Sequence, residues 1–438
     1  MMPETCGRTE LRPKGSLVLS PARELTVLRS VPGAYGPDDC VAEDTLRRWG
    51  ATSEQRGSYR APVKLPACDP VGCHEEPVLW GGGMLSPYGH FVIESVSRLW
   101  PLLPGAALEG LPVVFVTPVD KQPIREWLDA FGARRVQLPE QGATRFARMH
   151  VSEPAWQIDA WAAPEIREIH LQARRNLELP NLAGGGVLWL SRSRLQRRRR
   201  AYDECLLEWI LEPHVTIFHP QEKTLPEQVA AVEAADAVVG LIGSAFHSLL
   251  MAMRVPRYVY LCPDVELAHF NDHHFQDAYA AQDRMLGVGG THLRACVPTG
   301  VAAHRFPGGY SLTFPADHRL LVPEILRALA DTELPDLLDD PRAAALAYPE
   351  RARSLGARGA ELAASQVLLD PLSAEARLAL GAEFELQDHR RCALEQFVAA
   401  ADLAENPITA LRCAARVTER LGNGEEAAEI ASKIAPVA

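Results

Sequence analysis

Short apolar runs alternate with amphipathic segments over the middle of the chain. The apolar runs predict strands near residues 78–80, 111–117, 135–138, 148–152, 187–190, 215–218, 237–242 and 257–261. Between them, apolar residues recur at helical spacing at 122–131, 161–177, 202–211, 224–235 and 243–253. Strands that alternate with helices predict α/β domains built on largely parallel sheets.

A glycine-rich segment divides this pattern into two parts. Asn181-Leu-Ala-Gly-Gly-Gly186 resembles a hinge, after which the alternation restarts. We therefore expect two Rossmann-like doubly wound domains, at residues 76–180 and 187–330, that face each other across a cleft. In such sheets, ligands bind beyond the carboxyl ends of the strands.

The two ends of the chain have different character. Residues 1–75 are rich in Pro, Gly and Arg, which predicts an irregular lead-in with one short strand at 16–20. Residues 350–438 carry Ala, Leu, Glu and Arg at helical spacing and predict a C-terminal α-helical extension. Its two halves open at Asp370-Pro371 and Asn406-Pro407, a spacing similar to that of tetratricopeptide repeats.

Composition excludes several classes of protein. The formal charge of −11 argues against a nucleic-acid binder. Nine cysteines without paired spacing suit a reducing compartment. The N-terminal residues lack a signal-peptide core, and no apolar run approaches about 20 residues. We expect a cytoplasmic protein, at most peripheral at the inner membrane, where the basic tract Arg197–Arg200 is either a solvated turn or a weak contact with an anionic surface.

The segment 237–253 predicts a buried strand, a tight turn and a helix. Gly243, Ser244 and Ala245 form the turn. The first amides of a helix lack carbonyl partners and can bind a phosphate. The alternative is a turn whose small residues only allow close packing.

Two arginines follow the predicted strand 187–190. Alternate residues of an extended chain point the same way, so Arg192 and Arg194 can present two guanidinium groups to one target. Guanidinium groups bind phosphate oxygens in bidentate fashion, which favours a diphosphate as the target. The alternative is a pair of surface arginines.

A polar stripe follows the glycines at 81–83, which predict a loop between a strand and a helix. His90, Glu94 and Arg98 are spaced four residues apart and share one face of the predicted helix. An imidazole beside a carboxylate suits general-base catalysis near neutral pH. The alternative is an ordinary amphipathic helix whose His and Glu face water or satisfy each other.

Four blocks, taken together, resemble glycosyltransferase family 61 over about residues 75 to 290. The blocks are Pro87 to Arg98, Leu190 to Arg194, Leu225 to Gln228 and Val239 to Leu250. The resemblance implies a GT-B fold, a nucleotide-sugar donor and inversion at the anomeric carbon. Bacterial members look like enzymes of capsule, lipopolysaccharide or exopolysaccharide assembly.

The chain departs from the family pattern at three positions. The family often has His and Asn where this chain has Ile242 and Ser248, and often has Asp where Glu94 stands. A glutamate still supplies a carboxylate at slightly longer reach. At positions 242 and 248 the chain therefore lacks the imidazole and the side-chain amide of the family pattern.

The expected site combines these residues. His90 is the expected base, with Glu94 orienting or replacing it. Arg192, Arg194 and the Gly243–Ala245 backbone would hold the diphosphate, and further donor or cleft contacts are expected from Glu227, His247 and Arg98. We expect no cofactor or metal, because the chain has no Asp-x-Asp motif and the positive charge comes from arginine.

The expected partners are a nucleotide sugar as co-substrate and a glycan or lipid-linked acceptor, with no nucleic acid. The helical extension could bind a protein partner or associate with a second copy. Two other functions stay open. One is a sugar-nucleotide epimerase or hydrolase on the same fold, and the other is a non-catalytic glycan-binding or partner-binding module with a degenerate site.

Overall fold

The computed structural model describes most of the chain. The described residues are 9–29, 33–38, 40–46, 70–117, 119–158, 160–195, 204–263, 273–287, 290–295, 325, 342, 349–354, 356, 358–370 and 372–434. The Arg197–Arg200 tract and the predicted end of the second domain near residue 330 lie outside them. The described chain is a mixed α/β protein with several sheets and a helical C-terminal region, as predicted.

The first lobe is built on a six-stranded mixed sheet. Its strands are β2 (Arg23–Leu28), β3 (Pro70–His74), β4 (Val78–Gly83), β5 (Val113–Val116), β6 (Arg135–Val136) and β7 (Ala143–His150). They run in the order β2-β7-β4-β5-β6, and β3 also pairs with β7. Strands β4, β5 and β6 are parallel, whereas β2 is antiparallel to β7. Outside this sheet, the lobe contains the short strands β1 (Glu10–Leu11), β8 (Trp156–Gln157) and β9 (Trp161–Ala162). Its helices are α1 (Tyr88–His90), α2 (Gln122–Phe131) and α3 (Glu165–Arg175).

The early part of the chain is more ordered than predicted. Strand β2 joins the first sheet because its alternating Leu25 and Val27 are buried in the core. The strand predicted at 16–20 is reduced to a single bridge between Leu19 and Ser152. The glycines at 81–83, which were predicted to form a loop, instead belong to β4. Gly82 has a φ of +88°, and the pairing of β4 with β5 shifts register between Trp80 and Gly82.

The second lobe is built on a five-stranded, fully parallel sheet. Its strands run in the order β11-β10-β12-β13-β14. They are β10 (Val187–Leu190), β11 (Thr216–Phe218), β12 (Ala237–Leu241), β13 (Arg257–Pro263) and β14 (Thr291–Ala295), with helices α4 (Glu204–Leu211), α5 (Leu225–Ala234) and α6 (His273–Leu286). The order reverses between β10 and β12. In an open parallel sheet, this reversal creates a crevice at the carboxyl ends of the two strands.

The lobes are packed together behind that crevice. One apolar cluster contains Phe91 and Trp127 of the first lobe together with Leu225 and Leu250 of the second. The contact is reinforced by polar groups. The Arg174 guanidinium binds the Glu233 carboxylate through two hydrogen bonds of 2.8 Å, and Arg167 donates to the carbonyls of Leu249 and Ala252.

The helical extension packs on α4. Trp209 of α4 meets the Phe384 ring edge to face at 5.3 Å, and both side chains belong to one buried cluster. The helices are α7 (Pro349–Ser354), α8 (Gly359–Leu369), α9 (Ala374–Leu386), α10 (Arg390–Leu403), α11 (Ile408–Arg420) and α12 (Gly424–Ser432). The predicted helical extension is therefore present. Its similarity to tetratricopeptide repeats stays a prediction. No helix in the described ranges has the length and apolar character needed to cross a membrane.

Candidate functional site

The first lobe contributes an imidazole–carboxylate pair. Helix α1 continues into a π-helical turn, Phe91–Ser95, in which the Val96 amide donates to the Phe91 carbonyl. His90 Nδ1 lies 2.5 Å from Glu94 Oε2. The imidazole side chain is 37% exposed and the carboxylate 8% exposed. Because a carboxylate only accepts, Nδ1 carries the shared proton.

Arg98 does not continue this polar stripe. The wide π turn rotates the chain, so that the Arg98 side chain is buried and donates hydrogen bonds to the carbonyls of Ser152 and Leu46. The predicted spacing of three polar residues on one face assumed a regular helix. Arg98 instead ties the first lobe together behind the pair.

Arg192 lies in the crevice of the second sheet. Its Nη1 donates to the Ile242 carbonyl at 3.2 Å and would be 3.1 Å from a Cβ placed on Gly243. Arg192 follows β10 and Gly243 follows β12. The structure therefore brings the predicted arginine to the predicted glycine corner, at the point where the strand order reverses.

Arg194 points elsewhere. Strand β10 ends at Leu190, and the Leu195 amide donates to the Arg192 carbonyl, so a turn replaces the extended chain that the prediction assumed. Arg194 Nη1 binds Glu222 Oε2 at 2.7 Å. It lines a cavity of about 220 Å³ against the helical extension, where Arg391 and Leu394 form part of the opposite wall.

Glu227 has a local structural role. It completes the predicted capping box at the start of α5, because its Oε2 accepts from both the amide and the hydroxyl of Thr224 at 2.8 Å. The Thr224 amide holds the pKa of the Glu227 carboxyl below its usual range. None of its hydrogen bonds or ion pairs among the described residues links it to Arg192 or His90.

The two lobes touch at the predicted glycine corner. Residues Ser244–Leu250 form a 3₁₀ segment where an α-helix was predicted. A Cβ on Gly89 would lie 2.9 Å from the Ser244 Cβ and 3.5 Å from His247 Nε2. His90 is the next residue after Gly89. The 3₁₀ segment and the imidazole–carboxylate pair therefore lie side by side.

Two residues of this contact escaped the sequence prediction. Gly89 is needed for the close approach of the lobes. A glycine at the start of a predicted helix was the one signal in the sequence that could have indicated this contact. Gln282 of α6 binds His247 Nδ1 through its Oε1 at 2.7 Å. No motif marks Gln282, since the contact joins positions that are far apart in the sequence. Within the described part of the chain, no group of three or more His, Cys, Asp or Glu side chains could hold a metal ion.

Part of the chain is similar to one known protein family. A search of curated proteins found no match. Residues 88–259 match the family model Glycosyltransferase 61. The matched segment begins at Tyr88 in α1 and ends within β13, so it contains the His90–Glu94 pair, Arg192 and the glycine corner. This part of the chain is therefore similar to glycosyltransferase family 61.

Proposed function

We propose that the chain is an inverting glycosyltransferase with two Rossmann-like domains of the GT-B type. It moves a hexose or pentose from a nucleotide sugar to a glycan or glycolipid acceptor during bacterial cell-surface polysaccharide synthesis, such as capsule assembly. One observation carries the proposal. Arg192 and Gly243 meet in the crevice of the parallel sheet, and the His90–Glu94 pair approaches from the other lobe.

The pair in the first lobe suits proton removal. His90 donates its Nδ1 proton to Glu94, so Nε2 is the nitrogen that takes the proton from the acceptor hydroxyl. The acceptor oxygen then forms a bond to the anomeric carbon as the bond from that carbon to the phosphate oxygen breaks. Attack from the face opposite the leaving group inverts the configuration. Glu94 stabilises the imidazolium that results.

The second lobe suits the leaving group. The nucleoside diphosphate departs with the bonding electron pair and carries additional negative charge. Arg192 is permanently charged and lies beside the Gly243–Ala245 backbone, so it can stabilise that charge without a metal ion. We propose metal-independent transfer on this basis.

A cytoplasmic setting is part of the proposal. Among the described residues, no disulfide joins the cysteines, which suits a reducing compartment; they are Cys40, Cys73, Cys205, Cys392 and Cys413. Contact with the inner membrane would then be peripheral, through the acceptor.

The test is an assay of nucleoside-diphosphate release from a panel of nucleotide sugars, with and without bacterial glycolipid extract, in buffer containing EDTA. Acceptor-dependent release with one donor, and a product of inverted configuration by NMR, is the expected result. Nucleoside-diphosphate release at the same rate with and without the acceptor would instead indicate a hydrolase or epimerase. No turnover, with nucleotide binding intact, would indicate a non-catalytic binding module.

A further inference from the structure

Gln282 determines which nitrogen of His247 carries the proton. Gln282 is fully buried, and its Nε2 donates to the Phe246 carbonyl at 3.1 Å. A backbone carbonyl can only accept, so the orientation of this amide is unambiguous. Its Oε1 therefore faces His247 Nδ1, at 2.7 Å. Since Oε1 is also only an acceptor, the proton of the ring is on Nδ1.

The network around Gln282 holds this arrangement from several sides. Gln282 Nε2 also donates to the Tyr260 hydroxyl at 3.0 Å, and that hydroxyl donates to Asp283 Oδ1 at 3.1 Å. The His247 ring stacks on Tyr279 with centroids 5.1 Å apart and planes within 3°. The imidazole can neither rotate nor exchange tautomers without breaking these contacts.

The other nitrogen of His247 faces the contact between the lobes. Nε2 makes no hydrogen bond within the described residues, and it lies 3.5 Å from the position of a Cβ on Gly89. Burial lowers the pKa of His247 to about 4, against the opposing effect of the Gln282 hydrogen bond. At neutral pH the ring is therefore uncharged, and Nε2 offers a lone pair.

A second buried histidine shows what a purely structural imidazole looks like in this fold. His170 accepts from Trp127 Nε1 through Nδ1 at 3.1 Å and donates from Nε2 to the Val92 carbonyl at 2.9 Å. Both of its nitrogens are satisfied, and its tautomer is the opposite of that of His247.

We propose that Gln282 is a positioning residue that presents His247 Nε2 as a fixed, uncharged acceptor for a sugar hydroxyl at the junction of the lobes. The inference rests on the proposed function, since it concerns the same cleft. The hydroxyl belongs either to the sugar of the donor or to the acceptor glycan. His247 binds that hydroxyl and leaves proton removal to His90, because an imidazole with so low a pKa is a weak base.

The first test concerns the tautomer and needs no ligand. Two-bond ¹H–¹⁵N correlation spectra of the full chain, labelled at histidine, distinguish the two tautomers. His247→Phe and His170→Gln assign the signals. We expect the Nδ1–H form for His247 and the Nε2–H form for His170, with Gln282→Leu altering only the His247 pattern. An Nε2–H form at His247, or no response to Gln282→Leu, would overturn the proposal.

The second test concerns the hydroxyl. The binding probes are UDP and GDP with UDP-glucose and GDP-mannose, compared in the wild type, His247→Phe, Gln282→Leu and the double variant. Phenylalanine keeps the stack on Tyr279 while removing the acceptor, and thermal melting verifies folding. If the hydroxyl belongs to the donor, both single variants weaken nucleotide-sugar binding about 3- to 10-fold and leave nucleoside-diphosphate binding unchanged.

If the hydroxyl belongs to the acceptor, nucleotide-sugar binding stays constant and the KM for the acceptor rises by a similar factor. In either case the double variant is no worse than His247→Phe, because Gln282 acts through His247. Unchanged donor binding and unchanged acceptor KM in folded variants would overturn the inference alone. Failure of the wild type to bind any nucleoside diphosphate would overturn the proposed function and the inference with it.

Discussion

The two lobes meet through two short irregular helical segments that carry different chemistry. On the first lobe, His90 at the end of α1 has a partly exposed imidazole, which is bonded to the Glu94 carboxylate of the following π turn. On the second, the 3₁₀ segment buries the His247 imidazole, which is bonded to the neutral amide of Gln282. A carboxylate partner suits a histidine that gains a proton, whereas an amide partner suits one that stays neutral. This difference is the basis on which we propose proton transfer in the first lobe and substrate binding in the second.

The largest expected effect comes from removing the imidazole of the first lobe. His90→Asn removes the proposed base, so kcat should fall by about 10²- to 10⁴-fold with little change in donor KM. Steady-state kinetics with the identified donor measures both parameters. His214→Asn, at an exposed histidine after α4, is the matched control and should keep wild-type kcat. A His90→Asn enzyme with normal kcat would remove His90 from the reaction.

The next largest effect is on donor binding, and it should differ between Arg192 and Arg194. Arg192→Ala should weaken donor binding roughly 10- to 100-fold, since a hydrogen-bonded charge is lost from the crevice. Arg194→Ala breaks only an exposed ion pair with Glu222 and should change binding less than about 5-fold. Calorimetric titration compares the two variants. Equal losses would restore the sequence-based expectation that both arginines hold the diphosphate.

Gly89→Ala tests how closely the segments must approach. The new Cβ would lie 2.9 Å from the Ser244 Cβ, so the lobes must shift, at a cost of about 1–3 kcal/mol in unfolding free energy. Thermal unfolding and activity should both decline. Gly72→Ala is the control, because nothing lies within 4 Å of its Cβ position. If both variants unfold at the wild-type temperature and keep wild-type activity, Gly89 and Ser244 do not pack as closely as this distance requires.

The smallest effect is the pH dependence of stability. Burial lowers the pKa of His247 to about 4 and that of His170 to about 3, from a usual value of 6.5. Between those values and 6.5 the unfolded chain binds more protons, so stability falls as the pH drops, by roughly 1 kcal/mol per pH unit for each histidine. Calorimetry at pH 7.5 and 5.5 should show a shallower decline for His247→Phe. An unchanged decline would mean that His247 is not held neutral.

Local signals in the sequence predicted much of this structure. The strand at 187–190, the strand that begins at Ala237 and the capping box at Thr224 all appear as expected, because each depends on neighbouring residues. The His90–Glu94 pair was also predicted, since the chain still brings the two together over four residues.

The remaining features depend on geometry that sequence spacing does not encode. Arg98 leaves the polar face because a π turn interrupts the helix, and Arg194 leaves the crevice because the strand ends before it. Gln282 reaches His247 across a long stretch of chain, without any motif. In each case tertiary packing overrode the local pattern.

Binding of a nucleoside diphosphate to the crevice tests the central claim most directly. UDP and GDP are titrated calorimetrically into the wild type and Arg192→Ala, with EDTA present. We predict one-site binding of one of the two to the wild type and a loss of affinity of at least about tenfold in the variant. Equal affinity in both proteins, or no binding of either nucleotide to the wild type, would contradict the account.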